Sequence, residues 1–249
     1  MIGIIGFGRF GKLMSHYLSR DFDVFVTSRS DKSSEISDTG ARPASLETVC
    51  RQDIVIPSVP ISNFRDQLKT IAPLLKPDAL VIDVCSVKEY PVQWMTRELP
   101  DSVSILATHP MFGPDSAADS LQDRKICLCR VRVPEKPYQK VKSYLASKGL
   151  IVIEATAREH DEQIATSLSL THLIGRTLSQ CGASPLDIDT EGYQRLLRIL
   201  EVVERDTWQL FQDMHHYNPY AKKKRMEFIE MMEEINAKLE QGEMADQVE

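Results

Sequence analysis

The sequence predicts an α/β protein in two parts: a doubly wound, mostly parallel sheet over residues 1–154, then an all-helical domain over residues 155–249. Three observations predict it. The chain opens on a short apolar run, "MIGII", leading into three glycines spaced Gly-x-Gly-x-x-Gly at Gly6, Gly8 and Gly11. Strand-like and helix-like stretches then alternate through residue 154, the pattern of a parallel sheet with crossover helices. From Arg158 to Gly242 only helical periodicity remains.

Met1 to Ile5 reads as a buried strand. Phe10, Leu13, Met14, Tyr17 and Leu18 then recur at i, i+3, i+4, i+7 and i+8, one face of a helix. A strand, a glycine turn and a helix in that order begin a dinucleotide-binding domain of Rossmann type. Gly6 permits the tight turn, Gly8 lets the backbone approach a pyrophosphate, and Gly11 lets the helix pack on the strand. Arg9 and Phe10 complete this cofactor loop, and the helix N-terminus offers its N–H groups to the anion.

The second strand is "DVFVTSRSD", with Val24, Phe25, Val26 and Thr27. NAD-binding chains carry Asp or Glu near its end, to bond the ribose 2′-hydroxyl. Ser28, Arg29 and Ser30 hold that place, and the first acid, Asp31, comes later. Hydroxyls flanking a guanidinium suit a 2′-phosphate, because Arg grips phosphate oxygens through two parallel bonds. The expected cofactor is NADP.

The alternation continues with "DIVIPSVP" as a strand and "ISNFRDQLKTIAPLL" as a helix burying Phe64, Leu68, Ile71 and Leu75. "ALVIDV" is a strand, "YPVQWMTREL" a helix and "SVSILATH" a strand. "KICLCRVRV" and "LIVIEA" bracket the helical "PYQKVKSYLASKG", with Gly149 as its C-cap. In the helical half, Ile164, Leu168, Thr171 and Leu178 mark one helix, and Leu196, Leu197, Leu200 and Val203 another. A last helix begins near Tyr220, with Phe228, Met231, Ile235 and Leu239 on one face. Its "KKKR" at Lys222 to Arg225 reads as a solvated face on an acidic background.

Bulk composition narrows the class. A net charge of −6 gives no electrostatic case for nucleic acid, and no apolar run approaches a membrane span. Five cysteines, an odd number without framework spacing, read as reduced thiols. Cys127 and Cys129 alternate in an apolar strand and need no metal. A strand starting at Met1 leaves no room for a leader, so a cytoplasmic location is expected, with a mature plastid form the alternative.

Ligands of an open α/β sheet bind at the C-terminal ends of its strands. "PSVP" (Ser58, Val59, Pro60) is expected beside the nicotinamide half of the cofactor. "DVCSVKEY" brings Ser86 and Lys88 just past a strand. "ATHPMFGPDSA" brings His109 just past another, before a turn built on Pro110, Gly113 and Pro114. A histidine facing a nicotinamide takes the proton of a substrate hydroxyl as hydride leaves the same carbon, and its ordinary pKa of about 6.5 suits that task. Ser86 either bonds that hydroxyl or caps the following helix.

Together "GFGRFG", "DVCSVK", "THPMFGPDS" and "THLIGRTL" resemble the prephenate and arogenate dehydrogenases, over nearly the whole chain. Within that family "SRS", "THLIGR", "DTEGY" and "YNPYA" are most similar to the NADP-dependent, plant-type arogenate dehydrogenases. The resemblance implies a helical domain that forms a homodimer. It also implies oxidative decarboxylation of a cyclohexadienol carboxylate, with His109 as acceptor at the ring hydroxyl, Ser86 in support, Lys88 expected to bind substrate beside them, and His172 lining the substrate pocket.

Two departures from the family stand out. Many members carry a second histidine where this chain has Gly175, which removes a donor from the side-chain end of the substrate. Many also carry a carboxylate-binding arginine five residues before an Asp-containing helix start. Here that position is Glu201, with Arg195 and Arg198 nearby, and Arg198 is assigned. Asp115, six residues after His109, is expected to pair with the ammonium of arogenate and so favour it over prephenate. The alternatives are another NADP-dependent dehydrogenase, of β-hydroxy acid or imino acid type, and a non-catalytic NADP-binding sensor. The first lacks its lysine in "EQIATSLSLTHLIGRTL", and the second has no need of His109 with Ser86.

Overall fold

Short aliphatic and β-branched runs form eight strands in the computed structural model, which describes residues 1–241. They are β1 (Ile2–Ile5), β2 (Val24–Thr27), β3 (Arg42–Pro43), β4 (Ile54–Pro57), β5 (Leu80–Ile82), β6 (Ser104–Pro110), β7 (Lys125–Arg132) and β8 (Ile151–Glu154). One sheet joins them in the order β3-β2-β1-β4-β5-β6-β7-β8. Its first six strands are parallel and follow the doubly wound order of a Rossmann domain. The chain reverses only between β6 and β7, which pair antiparallel, and β8 then runs parallel to β7. The strand order turns around between β1 and β4, the point where sheets of this kind bind ligands at their C-terminal edge.

The first unit carries α1 (Arg9–Leu18), α2 (Ser33–Asp38), α3 (Leu46–Cys50), α4 (Ile61–Ile71), α5 (Glu89–Glu98), α6 (Glu135–Ser147) and the larger part of α7 (Ala157–Ile164). Helices α2 and α3 and strand β3 span too few residues for a periodic signal, so sequence patterning did not show them. Helix α1 reaches the sheet through its small residues: Gly11 and Ser15 are buried, while Phe10, Leu13 and Met14 are half-buried around them. Phe64, Leu68 and Ile71 of α4 are fully buried, as their spacing requires. Both faces of the central strands are covered, with Ile4, Val26, Val55, Val81 and Leu106 sealed from water. Each such side chain contributes about 1.5–3 kcal/mol.

The chain divides into two compact units, residues 1–161 and residues 162 onward. The division falls inside α7 rather than at 154/155, because His160 and Asp161 are bonded into the first unit. The second unit holds a π-helical stretch (Ala165–Leu170), α8 (Thr171–Gln180), α9 (Glu191–Glu204), α10 (Trp208–His216) and α11 (Ala221–Glu240). Among the described residues it has no strand. Thr190 and Thr207 cap α9 and α10, accepting from Tyr193 N–H and Leu210 N–H at 3.2 and 3.1 Å. The stripe read on α11 is not a core stripe in the single chain. Met231, Ile235 and Leu239 are 51, 52 and 74% exposed, with Met226 and Met232 beside them.

Candidate active site

The glycine turn closes the C-terminal end of β1. Gly6 has φ +105°, in the left-handed region, and a Cβ there would lie 2.2 Å from the Ser58 carbonyl oxygen. A Cβ on Gly11 would lie 2.2 Å from the Gly6 carbonyl oxygen, so α1 meets the strand only through glycine. Gly8, the N-cap of α1, faces open space, and no side chain caps the first turn. The uncapped N–H groups and the open cradle fit a pyrophosphate. Ser58, Val59 and Pro60 leave β4 beside this turn, Ser58 N–H donating to Ile5 at 2.7 Å and Pro60 opening α4.

At the end of β2 a cavity of about 390 Å³ is lined by Ser28, Arg29, Ser30, Lys32 and Ser33. Asp31 is turned to its own backbone: its Oδ1 accepts the Ser33 N–H at 3.0 Å and the Ser33 hydroxyl at 2.7 Å. Those bonds hold its carboxyl below the usual range. Among the described residues Arg29 makes no ion pair, and Lys32 lies 4.0 Å from Glu35. Lys32 was not singled out in the sequence. Two cations and the Ser30 hydroxyl, with the one acid occupied and the Ser28 and Ser33 hydroxyls donating to the Ser30 carbonyl and to Asp31, fit a 2′-phosphate.

Arg9 and Phe10 face the loop that follows β6. Arg9 pairs with Asp115 at 2.5 Å, the Phe10 and Phe112 rings stand 6.2 Å apart, and the Tyr17 hydroxyl donates to the Ala117 carbonyl at 2.9 Å. Asp115, expected as a partner for a substrate ammonium, is thus paired with Arg9 in this structure.

His109 lies within β6, not past it. The antiparallel ladder to β7 extends through His109 opposite Cys127 and Pro110 opposite Ile126, which lengthens the strand beyond its apolar run. The ring is 6% exposed, and its Nδ1 lies 2.8 Å from His160 Nε2. His160 Nδ1 in turn lies 2.7 Å from Asp161 Oδ1. Burial first, then His160 and Lys88, hold the His109 pKa well below 6.5. Its ring therefore stays neutral near pH 7. The Ser86 hydroxyl follows the adjacent strand β5 and is buried with no partner among the described residues. It does not cap α5, whose N-cap is Lys88 without a side-chain bond.

Lys88 also requires correction. Its ammonium is fully buried and donates to both Asp83 oxygens and to the Thr108 carbonyl, so its three donors are spent inside the protein. Lys88 therefore does not meet substrate. Burial pushes the Asp83 carboxyl up, opposed by Lys88 and by the Thr108 N–H. The pair fixes β6 just before His109. His160, Asp161 and Asp83 were all missed in the sequence, although "EHD" stands near the start of the helix that follows the last strand.

In the second unit, His172 is buried, and burial followed by Arg176 and His215 lowers its pKa to about 4. Its Nε2 lies 3.7 Å from Asp206. His172 Nδ1, Ser169 Oγ, Arg176 Nε and His215 Nε2 are buried and unbonded among the described residues. The Arg176 guanidinium donates to the Asp206 carbonyl and sits 5.6 and 5.9 Å from the Trp208 and Phe211 rings. Arg198, the arginine assigned from sequence, is instead exposed on α9. Spacing could have found Arg176, four residues after His172 and so on the same helix face. Gly175 is corrected as well. A Cβ there would lie 2.7 Å from Val203 on α9, so the glycine serves helix packing and stands for no missing donor.

A sheet of this order, with a glycine turn at its switch point and a buried histidine on the neighbouring strand edge, defines a nucleotide-binding domain of dehydrogenase class. Residues 20–154 match the prephenate dehydrogenase nucleotide-binding domain, and the chain belongs to the prephenate dehydrogenase family. Residues 177–249 match the TYRAAT1-like C-terminal domain. Arogenate dehydrogenase 2, chloroplastic, of Arabidopsis thaliana is 33% identical over 88% of this chain and 64% of its own length. A probable arogenate/prephenate dehydrogenase of Methanocaldococcus jannaschii is 28% identical over 91% of this chain and 53% of its own. The chain thus spans about half to two thirds of these relatives. The structure of A. aeolicus prephenate dehydrogenase, in complex with hydroxyphenyl propionate and NAD+, shares the fold at TM-score 0.77 and 20% identity, covering 96% of this chain and 90% of that one. No helix among the described residues is long and apolar enough to cross a membrane.

Proposed function

We propose that the protein is an NADP-dependent dehydrogenase that oxidatively decarboxylates arogenate in preference to prephenate. The observation that carries the chemistry is His109: a buried ring bonded at Nδ1, on the strand next to the unbonded Ser86 hydroxyl. An oxidised nicotinamide dinucleotide, when bound, supplies the acceptor for the hydride of the ring carbon that carries the hydroxyl. His109 Nε2 takes the hydroxyl proton, and the O–H electron pair becomes the carbonyl π bond. Ser86 Oγ bonds the same oxygen and holds it in line. The bond to the ring carboxylate then breaks, its electrons aromatise the ring, and carbon dioxide leaves. A low His109 pKa keeps its lone pair available across the neutral range.

The cavity at Ser28, Arg29, Ser30 and Lys32 supports NADP. Arogenate is supported by the names of the relatives, since Asp115 and Gly175 are occupied elsewhere. Arg176, rather than Arg198, is the candidate in the second unit for a substrate carboxylate. Assays with both substrates and both cofactors test the reading: kcat/KM is expected to be highest for arogenate with NADP. A faster rate with prephenate overturns the substrate choice. His109→Asn should lower turnover roughly 10²–10⁴-fold with cofactor affinity kept, and near-normal turnover removes His109 from the mechanism.

We also infer a homodimer built through the helical unit. Helix α11 exposes Met226, Ile229, Met231, Met232, Ile235 and Leu239. It is basic at its start (Lys222 to Arg225) and acidic further on (Glu230, Glu233, Glu234), so a second copy packed antiparallel brings opposite charges together. Sedimentation of a monomer at micromolar concentration rejects this.

A further inference from the structure

We propose that His160 and Asp161 form a positioning pair that sets the ring tautomer of His109. The inference rests on the reading of His109 as proton acceptor. Its starting point is the carboxylate. Asp161 Oδ1 accepts the Lys88 N–H at 2.7 Å, and Oδ2 accepts the Glu89 N–H at 2.9 Å. These N–H groups open α5, where the helix has no bonding partner for them and the dipole favours negative charge. A carboxylate held in this way only accepts. His160 Nδ1, 2.7 Å from Oδ1, therefore carries the ring proton.

The rest follows by proton counting. His160 is 3% exposed, and burial, the largest influence on it, disfavours its charged form. A neutral imidazole has one N–H, so His160 Nε2 is left as a bare acceptor. His109 Nδ1, 2.8 Å away, is then the donor. The opposite arrangement would set a ring lone pair of His160 against the Asp161 carboxylate. His109 is thereby fixed as the Nδ1–H tautomer, with its lone pair on Nε2. That is the form able to accept a hydroxyl proton.

One carboxylate thus sets two features of the site. Through the Lys88 and Glu89 backbone it holds the turn that carries Ser86, and through His160 it holds the direction in which His109 accepts. No atom of the pair touches the reacting groups. With a side chain that cannot accept at position 160, the buried His109 Nδ1–H loses its partner, and the ring no longer has a reason to keep its proton there.

The test uses His160→Leu, His160→Gln and nitrogen NMR of the histidine rings in the full-length protein. His160→Leu should lower kcat by on the order of 10²-fold, with NADP affinity and KM little changed. His160→Gln, whose oxygen can accept and whose nitrogen can donate, should recover at least about ten-fold of that loss. In the parent, long-range proton–nitrogen spectra should show His109 protonated at Nδ1 and bare at Nε2. In His160→Leu they should show both tautomers. The proposal is overturned by parental kcat in His160→Leu, by no recovery in His160→Gln, or by an Nε2–H His109 in the parent. The spectrum of the parent decides the matter even where a variant fails to fold. Parental turnover in His109→Asn would instead reject the acceptor reading itself.

Discussion

The guanidinium of Arg9 lies 2.5 Å from the carboxylate of Asp115, joining the first turn of α1 to the loop after β6. The side chains are 48 and 42% exposed, so water screens the pair. Such pairs contribute about 0.2–1 kcal/mol. Asp115→Asn leaves Arg9 available to a pyrophosphate at the helix N-terminus. The expected outcome in steady-state kinetics is a lower KM for NADP, by no more than about five-fold. The preference between arogenate and prephenate should not change. A higher KM would contradict this account of the pair.

Arg29 tests the cofactor. With Asp31 bonded to Ser33, Arg29 and Lys32 are the charged groups at the cavity beside β2 that remain for a phosphate. Arg29→Ala should weaken NADP by about 1.5–3 kcal/mol, the value of a hydrogen bond to a charged group. NAD, which lacks the 2′-phosphate, should be almost unaffected. Calorimetric titration with each dinucleotide reads both, and equal losses would contradict the assignment.

Lys88 is a question of stability, not of substrate affinity. Its ammonium and the Asp83 carboxylate are both fully buried, 2.5 Å apart. Lys88→Met leaves Asp83 without its counter-charge in the interior, which costs about 3–5 kcal/mol. A urea titration should show that loss. Unchanged stability with a raised substrate KM would restore the role in substrate binding.

Acid should unfold the protein through its histidines. Burial lowers the pKa values of His109, His160, His172 and His215, the last two to about 4. Well above pH 6.5 these rings are neutral in the folded and unfolded chain alike. Below it the unfolded chain takes up protons that the folded chain refuses, so stability falls as pH falls from 6.5 towards 4. Each proton taken up on unfolding steepens the loss by about 1.4 kcal/mol per pH unit. Urea midpoints should fall from pH 6.5 to 4.5, and less steeply in His172→Gln. A flat profile would show that these rings are protonated in the folded protein.

The sequence by itself determined the sheet (apart from its short edge strand β3), the glycine turn and the strand ends that carry the site. Those features rest on local rules. A period of two or of 3.6 shows which face is buried, and only glycine relaxes at φ +105°, where Gly6 sits. Ser86, His109 and the Ser28–Ser30 turn were legible for the same reason, since each stands at or beside a strand terminus. Tertiary structure decided everything that depends on a partner distant in the chain. Lys88 is spent on Asp83 and Thr108, Asp115 on Arg9 across 106 positions, and His109 on His160 across 51. Gly175 looks like a missing donor until α9 is packed against it, and Arg176 is distinguished from Arg198 only by burial. A polar residue type announces what it can bond. Whether its donors remain for a ligand depends on which buried acceptors the fold brings within 3 Å, because an unpaired polar group in the interior costs more than any local preference can return.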